Sequence, residues 1–320
     1  MKLKKEEEER GSVGKRQTNE MCTNFPTRRL QSLSPSAPLV ISRKAHCKFE
    51  YVRQFETKET LLPNTWAVVR VDGRGFHAFA NKHEFTKPND VRALNLMNAA
   101  AKVVLGAFTD IVLGYGQSDE YSFVFRKSAN LFSRRSAKIV TSVASLFASN
   151  YVYLWPEYFP DTKLKFAPSF DGRCVCYPSD QNIRDYLSWR QADCHINNLY
   201  NTVFWALVQQ GGMTNKEAQE RLKGTLSADK NEILYSQFQI NYNNESQQFR
   251  KGSLLLKKKV SVPVEVHEGN NASSDSKNED PSTPSKHQKS GCRDRVKIFD
   301  LNVDIIGDEF WENNEYIYSF

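Results

Sequence analysis

The chain has no Cys-x-x-Cys pair, no apolar run long enough to span a bilayer and no internal repeat. Each absence removes a class of protein. Its six cysteines, Cys22, Cys47, Cys174, Cys176, Cys194 and Cys292, are scattered, and neither a zinc site nor a disulfide framework has such spacing. Cys174 and Cys176 share one face of an expected strand, an awkward geometry for bridging to each other. They read as reduced thiols of an intracellular protein. Lacking a stretch of about 20 apolar residues, the chain is expected not to cross a membrane. Without a fixed period it is not a solenoid or a propeller. No apolar signal core opens the sequence, and the run Glu6-Glu7-Glu8-Glu9 is foreign to the acid-poor transit peptides of organelles. Nucleus or cytoplasm is therefore expected ahead of the mitochondrion.

What is present suits one large domain or two modest ones. The 320 residues are 39% hydrophobic and 25% charged, with mean hydropathy −0.60, enough for a core under a polar surface. A net charge of +7 leans toward a polyanionic partner. Residues 1–46, with a charge run and the linker-like Ser34-Pro35-Ser36-Ala37-Pro38, read as a disordered extension. Residues 47–266 carry strand and helix periodicities and read as the main folded domain. Residues 267–294 are rich in Ser, Asn, Asp, Lys and Pro and read as a disordered insertion. Residues 295–320 hold enough apolar surface, around Phe310 and Trp311, to dock back. The strand-rich centre flanked by helices predicts an α+β fold with a mainly antiparallel sheet.

Two acidic turns stand out. Trp66-Ala67-Val68-Val69-Arg70-Val71 leads into Asp72-Gly73-Arg74, and two further β-type runs, 111–115 and 121–125, flank Ser118-Asp119-Glu120. Either turn alone is an ordinary hairpin signal. With a helical stretch from Asp90 to Phe108 between them, they form a strand–helix–strand–strand unit that places both aspartates on one rim. Two carboxylates that close call for a cation, and hard oxygens suit Mg²⁺ with a bound nucleoside triphosphate.

Other segments look placed for phosphates. Gly73 and Gly75 allow backbone N–H groups to approach an anion. Asn89 or Asp90 is a natural N-cap for the helix that follows, or a ligand contact. Arg134, Arg135 and Lys138 open a helix expected from Ser133 to Tyr153; Arg135 and Lys138 at i, i+3 face one phosphate or simply water. In His195-Ile196-Asn197-Asn198-Leu199-Tyr200-Asn201, amides recur on a helix predicted over 182–210. They bond one another, or they line a groove for nucleotide or RNA.

These residues resemble tRNA-His guanylyltransferases. The likeness runs from about Lys48 to Lys251 and again from Asp304 to Trp311. It rests on Lys48-Phe49-Glu50-Tyr51-Val52, Val71-Asp72-Gly73-Arg74, Lys87-Pro88-Asn89-Asp90 and Gln117 through Phe123. It also rests on Tyr186 through Gln191, His195 through Asn201, and Ala228 through Glu232. The resemblance implies a polymerase-palm-like fold and addition of a guanosine to the 5′ end of tRNA-His. ATP would first adenylylate the 5′-monophosphate, the GTP 3′-hydroxyl would displace AMP, and pyrophosphate would be removed. Two Mg²⁺ and a homotetramer, a dimer of dimers, come with it. The metal ligands would be Asp72, the Gly73 carbonyl and Asp119, with Glu120 adjoining as a further catalytic candidate. The nucleotide contacts would be Arg74, Gly75, Phe76, His77, Ser118, Lys87, Asn89, Asp90, Arg135 and Lys138, the last two for the activating nucleotide. His195, Asn197, Asn198, Lys230 and Asn241 would serve tRNA. The resemblance departs at Gly75, where the family often carries Asn. Two readings compete within the same frame: 3′–5′ repair of truncated tRNAs, and a tRNA-binding subunit without catalysis, against which the intact acidic pair argues.

Overall fold

A computed structural model of the chain describes residues 47–263 and 292–319. The expected extension over 1–46, and the expected insertion up to 291, lie outside them. The chain divides after Glu56 into two units. The described part of the first is a short 3₁₀ helix, Glu50–Phe55, with Arg53 paired to Glu50.

The second unit is built on a sheet. Strand β1 (Trp66–Arg74) is followed by helices α1 (Phe76–Lys82) and α2 (Val91–Ala107), then by a hairpin of β2 (Ile111–Gln117) and β3 (Glu120–Phe125). Helix α3 (Ser136–Tyr158), strand β4 (Ser169–Tyr177) and the long helix α4 (Asp180–Gln209) come next. Helices α5 (Asn215–Leu222), α6 (Ser227–Phe238) and α7 (Gln247–Lys251) lead to strands β5 (Ser253–Pro263) and β6 (Cys292–Leu301), with α8 (Asp308–Glu312) and α9 (Tyr316–Ser319) at the end. The six strands lie in the order β4-β1-β3-β2-β5-β6, each pair antiparallel. This is the expected α+β architecture.

β1 is buried on both faces, which is why it reads as a continuous β-branched run rather than a strict alternation. Val69 and Val71, with Tyr121, Phe123 and Phe125 of β3, pack under Leu96, Ala100 and Val104 of α2 and Val143, Phe147 and Tyr151 of α3. On the opposite face Trp66, Val68 and Val124 meet Ile183, Tyr186 and Leu187 from the first half of α4, together with Ile305 and Trp311. The second half of α4 leaves the sheet and carries its own cluster, Leu199, Val203 and Leu207 against α5 and α6. A helix of 30 residues is about 45 Å long, so α4 spans both regions. Its Gln191 clamps the returning tail, donating to the Val303 carbonyl at 2.9 Å and accepting from Ile305 N–H at 2.8 Å.

Several boundaries differ from the sequence reading; α3, for one, runs on to Tyr158 rather than ending at Tyr153. Helix α3 begins at Ser136 because Phe132, Ser133 and Arg134 hold left-handed φ angles of 51°, 54° and 58°. Arg134 is buried and donates to the Ala129 and Thr65 carbonyls, so it anchors this turn instead of facing a phosphate. Strand β6 takes in residues 292–294, which composition had placed in the insertion.

Gly252 joins α7 to β5 with φ 73° and ψ −167°, a region open in practice to glycine alone. A Cβ there would stand 2.6 Å from the Tyr115 hydroxyl and 2.7 Å from the Gly116 carbonyl. Gly252→Ala is expected to destabilise the fold by about 1–3 kcal/mol or more. Urea unfolding checks this, the midpoint falling at an unchanged m-value.

Candidate active site at the acidic edge of the sheet

The register of β1 against β3 sets Asp72 opposite Glu120. Both acidic turns therefore end at the same edge. Ser118 and Asp119 form the two-residue turn of the β2–β3 hairpin, with Ser118 at φ 49°, as so short a turn demands. The Gly73 N–H donates to the Asp119 carbonyl at 3.0 Å and ties this turn to β1. Above Gly73 there is no room for a side chain: a Cβ would lie 2.6 Å from the Phe76 ring and 2.9 Å from Asp119 Oδ2. The Asp119 carboxylate thus rests on bare backbone, within the field of Asp72. Burial pushes its pKa up to about 6, and the charges of Asp72 and Glu120 add to the rise.

Two hollows meet at Ser118 and Asp119. One, of about 320 Å³, is walled by Asp72, Gln117, Glu120, Asn197, Asn198 and Gln248. The other, of about 270 Å³, is walled by Phe76, Phe85, Met97, Lys87 and Trp205. Asn89 lines both. Lys87 Nζ sits 5.8 Å from the Trp205 ring centre, and burial lowers its pKa. Burial would raise the Asp90 pKa, but bonds from the Arg92 side chain and the Thr86 and Arg92 N–H groups outweigh it and hold it low. Asp90 is thus the N-cap of α2, accepting from Arg92 N–H at 3.0 Å, and it also lines the second hollow.

Glu120 points away from Asp119, into the layer between sheet and α4. Arg190 Nη1 donates to both its oxygens at 3.2 Å, and Gln117 Nε2 donates to Oε1 at 3.0 Å. Arg70 stands 3.8 Å off. Gln117 also donates to Asp193, which accepts from Asn197 as well. Arg74, Gly75, Phe76 and His77 follow β1 directly. Gly75 is the left-handed N-cap of α1, at φ 63° and ψ 27°. Asn is among the few other residues that enter that region, and no atom stands within 4 Å of a Cβ there.

The structure does not gather every expected residue. Arg135 and Lys138 are exposed at the start of α3. Arg134 beside them bonds Thr65, at the end of β1 remote from Asp72, about 20 Å away along the strand. Lys230 donates to the Thr225 carbonyl at 2.7 Å. Asn241 caps a 3₁₀ turn by accepting from Asn243 N–H at 3.0 Å. Asn241 and His195 line a third hollow of about 460 Å³ with Tyr242; burial, then Arg250 and Lys251, lower the His195 pKa. Sequence reasoning gave no role to Arg190, Asp193, Trp205 or Tyr242. Arg190 lies in one of the recognised motifs, but its partner is 70 positions away.

A profile described as tRNAHis guanylyltransferase matches residues 49–178, and a companion described as the Thg1 C-terminal domain matches 181–307. The chain belongs to the tRNA-His guanylyltransferase family. It is a nucleotidyltransferase of that family by relationship as well as by fold. It is 53% identical over 300 residues to the probable tRNA(His) guanylyltransferase of Mus musculus, covering 92% of this chain and 97% of that protein. It is also 53% identical over 282 residues to the tRNA(His) guanylyltransferase of Neurospora crassa, covering 86% and 96%. The crystal structure of the Saccharomyces cerevisiae tRNA(His) guanylyltransferase superposes with TM-score 0.63 at 53% identity, over 65% of this chain and 93% of that one. A bacterial guanylyltransferase-like protein in complex with ATP shares the fold at 23% identity and TM-score 0.56, over 65% and 87% of the two chains.

The family implies magnesium, and the residues present fit it. Asp119 lies over a glycine cradle that a Cβ would fill, next to Asp72 and the Gly73 backbone, an all-oxygen donor set. Among the described residues no three His, Cys, Asp or Glu side chains converge on one point. Two carboxylates are the usual protein share for Mg²⁺, which keeps waters and substrate phosphates as its other ligands.

Two outcomes follow for metal-free protein. The Asp119 pKa is near 6 in the fold against 3.8 unfolded, so ionisation penalises the folded state fully above pH 6 and not at all below about 3.8. Asp119→Asn is expected to stabilise chelator-treated protein by up to about 3 kcal/mol at pH 7.5, and not at pH 3.5. Thermal melts at the two pH values check this, and added Mg²⁺ should raise the melting point of the wild type alone. Arg190→Ala removes the main partner of the Glu120 carboxylate, leaving it Gln117 and the more distant Arg70, and is expected to cost up to about 3 kcal/mol, read from denaturant unfolding at pH 7.5.

Proposed function

We propose that this chain adds a guanosine to the 5′ end of tRNA-His, extending it 3′ to 5′. The observation that carries the reading is the Asp119 carboxylate on the bare Gly73 backbone, beside Asp72 and between two hollows. An acidic pair with space on both sides suits a reaction that joins two phosphate-bearing substrates.

A 5′-phosphate oxygen of the tRNA attacks the α-phosphorus of ATP, and pyrophosphate leaves. The 3′-hydroxyl of GTP then attacks the 5′-phosphorus, loses its proton as the new O–P bond forms, and expels AMP. Water finally removes pyrophosphate from the new 5′ end. Asp72, the Gly73 carbonyl and Asp119 would hold two Mg²⁺. When bound, these ions supply Lewis acidity at the attacking hydroxyl and at the leaving phosphate. The residues of the chain do the rest. Arg74, with the N–H groups of Phe76 and His77 that the first turn of α1 leaves unused, faces the triphosphate with Ser118. The apolar hollow of Phe76, Phe85 and Met97 takes a base, and Lys87 above it holds phosphate. Glu120 is a positioning group: tied to Arg190 and Gln117, it fixes the turn that presents Asp119. Arg135 and Lys138, being remote from the acidic pair of their own subunit, would reach a nucleotide only from another copy, in keeping with a homotetramer. His195 and Asn197, on the amide-bearing part of α4, would contact tRNA, while Lys230 and Asn241 shape the loops around that surface.

Purified protein incubated with 5′-monophosphorylated tRNA-His, ATP, labelled GTP and Mg²⁺ is expected to yield a product one nucleotide longer. Asp72→Ala and Asp119→Ala should each slow it on the order of a thousandfold or more while still binding tRNA. An unextended tRNA with the wild type would refute the reading. Full activity in either variant would refute the metal site.

A further inference from the structure

Behind the acidic edge, a chain of hydrogen bonds has its direction set at one end. The His195 carbonyl can only accept, so the long, weak bond between it and the Tyr242 hydroxyl, 3.5 Å away, runs from the tyrosine. With its proton committed, that hydroxyl accepts from Asn198 Nδ2 at 2.9 Å. The Asn198 carboxamide is thereby turned with Oδ1 toward Asn89, whose Nδ2 donates to it at 2.8 Å. Asn89 must then direct its own Oδ1 elsewhere. Asn89 lines both hollows beside Ser118 and Asp119, and among the described residues no other hydrogen bond holds it.

We propose that Tyr242 is a positioning residue which, through Asn198, keeps the Asn89 carbonyl oxygen available to the nucleotide as an acceptor. Asn89 then selects a nucleotide that offers a donor at that point, a ribose hydroxyl or the exocyclic amino group of guanine. The inference rests on the nucleotidyltransferase reading and adds a specificity device to it. Asn198 and Tyr242 are 6% and 4% exposed, so the bond between them, at the centre of the chain, is shielded from water. A carboxamide without such a chain flips freely and presents donor or acceptor alike. A tyrosine that merely filled the helical cluster would affect stability but not this choice.

The test is calorimetric titration of the full-length protein with GTP, 2′-deoxy-GTP, 3′-deoxy-GTP and inosine triphosphate, which lacks the exocyclic amino group. Wild type is expected to bind one of these analogues about five- to tenfold more weakly than GTP, the worth of one hydrogen bond. The analogue affected says whether the donor is a hydroxyl or the amino group. In Tyr242→Phe, which keeps the ring, and in Asn198→Ala, which breaks the chain from the other side, the ratio should fall below about twofold. Asn89→Ala should abolish it, and adding Tyr242→Phe should change nothing more. A full ratio retained in Tyr242→Phe, or equal binding of all four nucleotides by the wild type, would overturn the relay while leaving the enzyme reading intact. No nucleotide binding by the wild type would overturn both.

Discussion

A carboxylate lying against a stretch of main chain that has no side chain is the constraint on which the site depends. Asp119 reaches its place because Gly73 carries no Cβ, and Gly73 in turn is tied to the Asp119 carbonyl by its N–H. One residue thus supplies both the space and the tether. The hairpin turn, the strand that bears Asp72 and the helix that starts after Gly75 cannot shift independently. Any movement of β1 against β3 would carry one acid away from the other.

Such an arrangement is costly without a cation, and the surroundings show how the cost is borne. Two carboxylates share one edge, and a third, Glu120, lies in the layer beneath. Glu120 is neutralised by Arg190 and approached by Arg70, whereas no basic group contributes to the Asp119 ionisation. The fold therefore gives the acid it uses as a strut a full counter-charge, and holds the acid at the rim only by its own N–H and the Ser118 side chain. A perturbed acid of this kind is common where chemistry takes place.

Much of this was legible in the sequence, for local reasons. β1, β2 and β3 announce themselves by β-branched and aromatic runs, and the turns at Asp72 and Asp119 by the residues that short turns require. Asp90 is recognisable as a cap because its main partners lie within four positions. The start of α3 was not legible, because Phe132 to Arg134 take left-handed angles under bonds from Arg134 to Thr65, 69 positions back. The Arg190–Glu120 strut is equally non-local. The first residues of β6 were hidden for another reason: β6 is an edge strand, and the sequence at its start, Arg293-Asp294-Arg295, is as polar as a linker. Lys230 and Asn241 carry the residue types of the family motif, yet each has a local bond that a sequence pattern does not reveal.

The pairing of β5 with β6 has a consequence for how this protein can vary. Pro263 stands opposite Cys292, so the chain leaves and re-enters the sheet at two adjacent points. Whatever length of polypeptide joins them, its ends are already held together, and closure entropy grows only slowly with length, by about 0.6 kcal/mol per doubling. A change in the length of the joining segment therefore costs little and leaves the register that sets Asp72 opposite Glu120 undisturbed.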